Sequence, residues 1–121
     1  MRRIVWFTLG LLLALPLVAW AGSNTLTWTD NSTNEQNFNI ERTTAASVAT
    51  CATAAGFTPL LSVTANSVTF VDSAVTEGIV YCYRVNASNT AGASAYSNIA
   101  GRLVPFTVPA APSGLGVTAG P

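Results

Sequence analysis

From Asn24 onward, short runs of alternating apolar and polar residues, each closed by a cluster of turn formers, restrict this chain to β structure. Asn24-Thr25-Leu26-Thr27-Trp28-Thr29 places Leu26 and Trp28 on one face, and Asp30-Asn31-Ser32-Thr33-Asn34-Glu35 follows as a turn. Asn37 to Arg42 alternates again, with Phe38 and Ile40 inward and Glu41 outward. Residues 44–56, rich in Ala, Ser and Thr around Cys51, read as a loop. Phe57 to Val63 is predicted as a strand with Leu61 and Val63 in step, then a turn at Ala65-Asn66. Ser67 to Val71 is β-branched and aromatic, and Asp72 to Gly78 is a second connection. The longest predicted strand, Val80 to Ala87, sets Tyr81, Tyr83, Val85 and Ala87 on one face and Cys82, Arg84 and Asn86 on the other. After a reversal at Asn89 to Gly92, Ala95 to Leu103 is expected to return as the final strand. No helical stripe interrupts this pattern, so the expected fold is an all-β antiparallel sandwich.

The chain has 121 residues, enough for one domain. Met1-Arg2-Arg3, the apolar run Ile4 to Val18 and the small residues of Ala19-Trp20-Ala21 have the three parts of a secretory signal peptide, with cleavage expected before Gly22. A membrane anchor is the competing reading. A span asks for about 20 apolar residues, whereas this run is shorter, holds Pro16 and meets a cleavage site. Residues 1–21 are therefore assigned to a leader, and the mature chain is expected outside the cytoplasm: secreted, extracellular, at the cell surface or periplasmic.

Charge is scarce: five Arg, no Lys, two Asp, three Glu and no His. Without an imidazole there is no Ser-His-Asp or Cys-His system and no histidine-ligated metal. Without lysine there is neither a Schiff base nor a P-loop. Beyond residue 21, Arg42, Arg84 and Arg102 face Asp30, Glu35, Glu41, Asp72 and Glu77, a net charge of −2. Phosphate neutralisation needs the opposite balance, so nucleic acid is not an expected partner. No enzyme activity, cofactor or metal is expected. The Asp30–Glu35 run lacks the spaced carboxylates and glycine of a calcium loop. Asp72 and Glu77 read as turn caps rather than an acid–base pair. Asn31-Ser32-Thr33 and Asn86-Ala87-Ser88 match the glycosylation triplet, a frequent chance pattern. Tyr96 and Phe106 are candidate exposed aromatics for carbohydrate stacking, although isolated surface apolar residues are ordinary. In an exported chain Cys51 and Cys82 are expected to form one disulfide, and a metal-binding alternative lacks further ligands.

Over Asn24 to Leu103 the order and spacing of motifs resemble a bacterial secreted fibronectin type III domain. The matching residues are Leu26-x-Trp28, Phe38-x-Ile40-Glu41-Arg42, Phe70-x-Asp72, the run Gly78-x-x-Tyr81-x-Tyr83-Arg84-Val85-x-Ala87-x-Asn89-x-x-Gly92, and Ser94-Ala95-x-Ser97-Asn98. The resemblance implies an immunoglobulin-like sandwich whose core holds Trp28, Phe38, Ile40, Tyr81, Tyr83 and Val85. It also implies that the Tyr81 hydroxyl ties down the preceding corner. The disulfide departs from the family. Cys82 lies on the outward face, so the bridge is expected to pin the 44–56 loop across the outside of one sheet.

The ends depart further. The family opens with a proline and a Leu-x-Val strand, yet Gly22 to Asn24 is too short to be that strand. Pro112, Leu115 and Val117 resemble it at the other end, so the chain reads as permuted: residues 22–104 a sandwich lacking its first strand, residues 105–121 a linker plus candidate donor strand. The resemblance places the last strand's exit and the first strand's start at opposite poles, on the order of 30 Å apart. The eight residues Val104 to Ala111 reach about 26–29 Å, so insertion into the same molecule is expected to be strained and insertion into a neighbour comfortable. Two functions follow. One is a secreted structural protein that assembles head to tail by donor-strand exchange into a filament, with itself as partner. The other is a non-catalytic binding or spacer module of a surface or carbohydrate-active protein, with another extracellular protein or a glycan as partner, in which the tail is the remnant of a truncated second domain. Neither reading needs a membrane once the leader is removed.

Overall fold

The computed structural model describes residues 22–121; the expected leader, residues 1–21, lies outside the described residues. Seven strands follow in order: β1 (Asn24–Thr27), β2 (Asn37–Ala45), β3 (Thr58–Thr64), β4 (Thr69–Asp72), β5 (Val80–Asn89), β6 (Gly92–Ala93) and β7 (Ala100–Leu103), with a 3-10 turn at Ala49–Thr53. All pairings are antiparallel. One sheet is β1 with β4; the other runs β3-β2-β5-β6, with β7 also paired to β5. The expected all-β sandwich is what the chain forms.

Alternation decides which side chains meet between the sheets. Phe38 and Ile40 of β2 join Tyr81, Tyr83 and Val85 of β5 and Val104, all buried. Leu26, Trp28, Leu60, Val63 and Phe70 are partly buried against them. The Trp28 and Phe38 rings lie 5.6 Å apart at a tilt of 52°. The Tyr81 hydroxyl accepts the Thr76 amide at 3.0 Å, fixing the turn that precedes β5.

A second small core lies on the outer face of the larger sheet. Cys51 and Cys82 are bonded, with Cα atoms 5.5 Å apart, and pack with Val80, Ala45, Ala54, Phe57 and Ile99. The outward-facing Cys82 is 0% exposed because the 3-10 turn covers it. The segment expected as a plain loop over 44–56 thus begins as the end of β2 and closes as a helical strap.

Three sequence expectations are corrected. Leu61 is 46% exposed rather than inward. The β2–β3 register shifts between Ile40 and Glu41, whose partners are Leu61 and Pro59, so Leu60 bulges out of the ladder and turns to the core. The predicted strand from Ala95 to Leu103 is regular only over Ala100–Leu103. Before it, the Ser94 and Ser97 hydroxyls accept the Ala87 and Val85 amides at 2.9 and 3.0 Å. They replace backbone carbonyls and break the ladder. The strand expected to reach Thr29 ends at Thr27, with one further bond from the Trp28 amide to the Val68 carbonyl.

Candidate functional site

Among the described residues β1 has a partner on one side only. The Trp28 amide donates to Val68, and the antiparallel pattern repeats every two residues, so Leu26 and Asn24 also point their backbone groups at β4. Those of Thr25 and Thr27 therefore point away from the sheet, where no described strand pairs with them. β7 likewise pairs only with β5 among the described residues. Between these two free edges runs an open slot of about 610 Å³, walled by Leu26, Trp28, Val85, Ala100 and Gly101. The Trp28 indole N–H is buried at this wall and finds no acceptor among the described residues.

A polar network closes one end of the slot. Asn24 donates to the Tyr83 oxygen at 2.9 Å, and Tyr83 donates to Asp72 at 2.7 Å. Arg42 reaches the same Asp72 oxygen at 2.7 Å, and the Ala74 amide takes the other at 3.1 Å. From β7, Arg102 donates to the Asn24 side chain at 2.6 Å and to the Ser23 carbonyl at 3.2 Å. Burial alone would push the Asp72 carboxyl up. The hydrogen bonds from Tyr83, Arg42 and the Ala74 amide outweigh that and hold it below its ordinary value. Burial, reinforced by the neighbouring carboxylate, pushes the Tyr83 hydroxyl well above the usual range. The network ties the two-stranded sheet to the larger one. It also fixes polarity: the end of β7 lies beside the start of β1, while Thr29, Asn31, Ser97 and Asn98 form the slot's other end.

The sequence-predicted residues take these places. Phe38, Ile40, Tyr81, Tyr83 and Val85 are core, and Trp28 is half-buried beside them. Pro112, Leu115 and Val117 touch none of this. Residues 108–121 form no strand, and Leu115 and Val117 are 95% and 91% exposed. The linker is shorter than counted from sequence. The Val104 amide and carbonyl bond Ile79 and Gly78, the Phe106 ring lies against Gly78, and Thr107 donates to Glu77 through its amide and hydroxyl. Only residues 108–111 are free before Pro112, about 13–14 Å of chain. Counted to Leu115 the free chain is seven residues, about 23–25 Å, against about 20 Å for the extended 98–103 segment that an insertion into the same molecule would retrace. Sequence reasoning missed this anchoring, for which Phe106 and Thr107 carry no local signal.

The remaining candidates are absorbed by structure. Glu77 is engaged by Thr107 rather than Asp72. The Asp30–Glu35 turn is closed by Ser32 bonding Asp30, while Glu35 accepts the Asn66 amide. Among the described residues no cluster of three metal-ligating side chains occurs. Tyr96 stacks on Arg84, 3.7 Å from ring centroid to guanidinium, and its hydroxyl bonds Glu41. Phe57 covers the same guanidinium at 4.3 Å. Asn86 of the second glycosylation triplet bonds Asn39 within the sheet.

No family model matches the chain, and no curated protein matches it. Among solved structures it is similar to a chain described as the twitchin kinase region from C. elegans (Fn31-NL-kin-CRD-Ig26), at a TM-score of 0.56 and 20% identity. The match covers 71% of this chain and 14% of that one, so it spans a small part of a much longer protein. The likeness establishes an immunoglobulin- or fibronectin-type β-sandwich. Among the described residues no helix is long and apolar enough to cross a membrane, which together with the disulfide is compatible with an extracellular protein.

Proposed function

We propose that this chain is an exported, non-catalytic structural subunit that assembles with copies of itself, the C-terminal segment of one molecule completing the sandwich of the next. In this reading it is a fibronectin type III fold permuted so that its first strand comes last. One observation carries the reading: among the described residues β1 presents an unpaired edge over a slot with Leu26, Trp28 and Val85 in its wall, while Leu115 and Val117 stand exposed on a tail that packs on nothing described. An unpaired edge beside apolar walls invites strand addition. Burying Leu115 and Val117 contributes about 1.5–3 kcal/mol each. The interface is heterologous, so repetition gives a ring or an open filament. The tail leaves at the Asn24 end of its own sandwich and would join its neighbour at the Thr29 end, which favours head-to-tail order.

Light scattering and electron microscopy of the exported chain, whole and truncated after Thr107, test this. Oligomers or fibres from the whole chain and monomers from the truncated one are expected. Monomers from both at equal stability would end the proposal. The second reading, a binding or spacer module, is favoured by the likeness to part of a multidomain chain. It predicts a monomer in both cases and retention on a glycan array or an extracellular partner.

A further inference from the structure

Resting on that assembly reading, we infer a single register for the incoming segment: residues 115–119 of one copy lie antiparallel to residues 24–28 of the next, with Leu115 opposite Trp28 and Val117 opposite Leu26. Four independent features of the chain converge on it.

The first is parity. Leu26 and Trp28 face the core, and residues directly opposite in an antiparallel pair share a face. Leu115 and Val117 therefore reach the core only opposite even-numbered positions of β1, and a slip of one residue turns both to solvent.

The second is chemistry along the slot. Shifting the segment by two one way sets Val117 against Asn24, whose amide and carbonyl are already committed to Tyr83 and Arg102. Shifting it the other way sets Leu115 against Asp30 and leaves only Ala119 to cover Leu26. The inferred register instead puts both large apolar side chains on apolar walls. It brings Ala119, the smallest chiral side chain, to the crowded Asn24–Arg102 end.

Backbone supply is the third. The free donors and acceptors of β1 sit on Thr25 and Thr27, which in this register face Thr118 and Gly116. The ladder then uses alternate residues of the tail, and between Pro112 and Pro121 every residue has an amide proton to give. Thr25 and Thr118 become a cross-strand Thr–Thr pair on the outer face.

The fourth is length. Gly114 has φ +70°, a left-handed conformation that ends any extended run there, so the strand-competent part of the tail begins at Leu115. Five residues from Leu115 to Ala119 match the five from Asn24 to Trp28 that pair with β4.

The test is cross-linking of the full chain exported through its own leader. Hydrogen-bonded antiparallel partners have Cα atoms about 5.5 Å apart, within disulfide range. The pair Thr25→Cys with Thr118→Cys, both outward-facing, is expected to give a covalent ladder of multimers whose peptide map shows a 25–118 bond between chains. Two control pairs report the neighbouring registers: Thr25→Cys with Gly116→Cys, and Thr27→Cys with Thr118→Cys. Each is expected to give at least tenfold less ladder. A ladder through either control pair overturns the register and leaves assembly standing. A 25–118 bond confined to single chains overturns assembly. Monomers throughout, without any 25–118 bond, overturn both. Leu115→Asp, which perturbs only an exposed side chain of the free subunit, is expected to abolish the ladder and to bring the thermal midpoint of the whole chain to that of the chain truncated after Thr107, without its dependence on concentration.

Discussion

At the residue scale the weight falls on Asp72 and Tyr83. Asp72 is buried and accepts from Arg42, Tyr83 and Ala74, so its charge is matched within the fold. Tyr83→Phe leaves the Asn24 amide and one lone pair of Asp72 without a partner, and is expected to cost about 1–3 kcal/mol in urea denaturation. The two groups also shape the pH dependence, with opposite signs. The folded state holds the Asp72 carboxyl below its ordinary value, so its contribution is complete above about pH 4 and fades as pH falls through the lowered value. The Tyr83 hydroxyl is held above its ordinary value, so stability is complete below about pH 10 and erodes as the unfolded chain ionises. Denaturation midpoints across pH are expected to show Asp72→Asn flattening the acid limb and Tyr83→Phe the alkaline one. An Asp72→Asn profile identical to wild type would remove the carboxylate from this account.

Among the elements, β7 is the strand most dependent on its surroundings. It makes four pairings with β5, and its Gly101 lies directly under the Cys51 sulfur, where a methyl group would collide with the strap. The disulfide therefore holds down the strand from which the tail departs. Cys51→Ala with Cys82→Ala opens a loop of 31 residues and is expected to cost about 3–4 kcal/mol, with β7 amides losing hydrogen-exchange protection first. Gly101→Ala is expected to destabilise in the oxidised protein more than in the reduced one. Alternation puts Phe38 and Ile40 on one face of β2 and Tyr81, Tyr83 and Val85 on one face of β5, and these faces are buried, because a side-chain period of two leaves few choices once one face must be buried. It failed where the ladder departs from period two. The bulge at Leu60 swaps which leucine is buried, and the serine hydroxyls at 94 and 97 stand in for carbonyls. Neither device has a signature in apolar–polar patterning. The polar lock at the end of the slot beside β1 joins residues up to 79 positions apart. Pairings of that range lie outside local sequence logic.

For the molecule as a whole, stability and assembly are linked. If a neighbour's residues 115–119 fill the slot, the folded state binds a ligand that the unfolded state does not, and stability must rise with protein concentration. A tenfold dilution is then worth up to about 1.4 kcal/mol, a shift of several degrees in the thermal midpoint of a domain of this size. The chain truncated after Thr107 should show no such dependence. Residues 108–121 are exposed and unpaired in the free subunit, so their removal costs the isolated sandwich little. The most direct measurement is hydrogen exchange at the Thr25 and Thr27 amides, which point into the slot and have no strand partner within the described subunit. In the whole chain at high concentration both amides should be protected, and protection should vanish on dilution and in the truncated chain. Fast exchange at both positions in every sample would contradict strand addition, and protection that survives dilution would assign the slot's occupant to the same molecule.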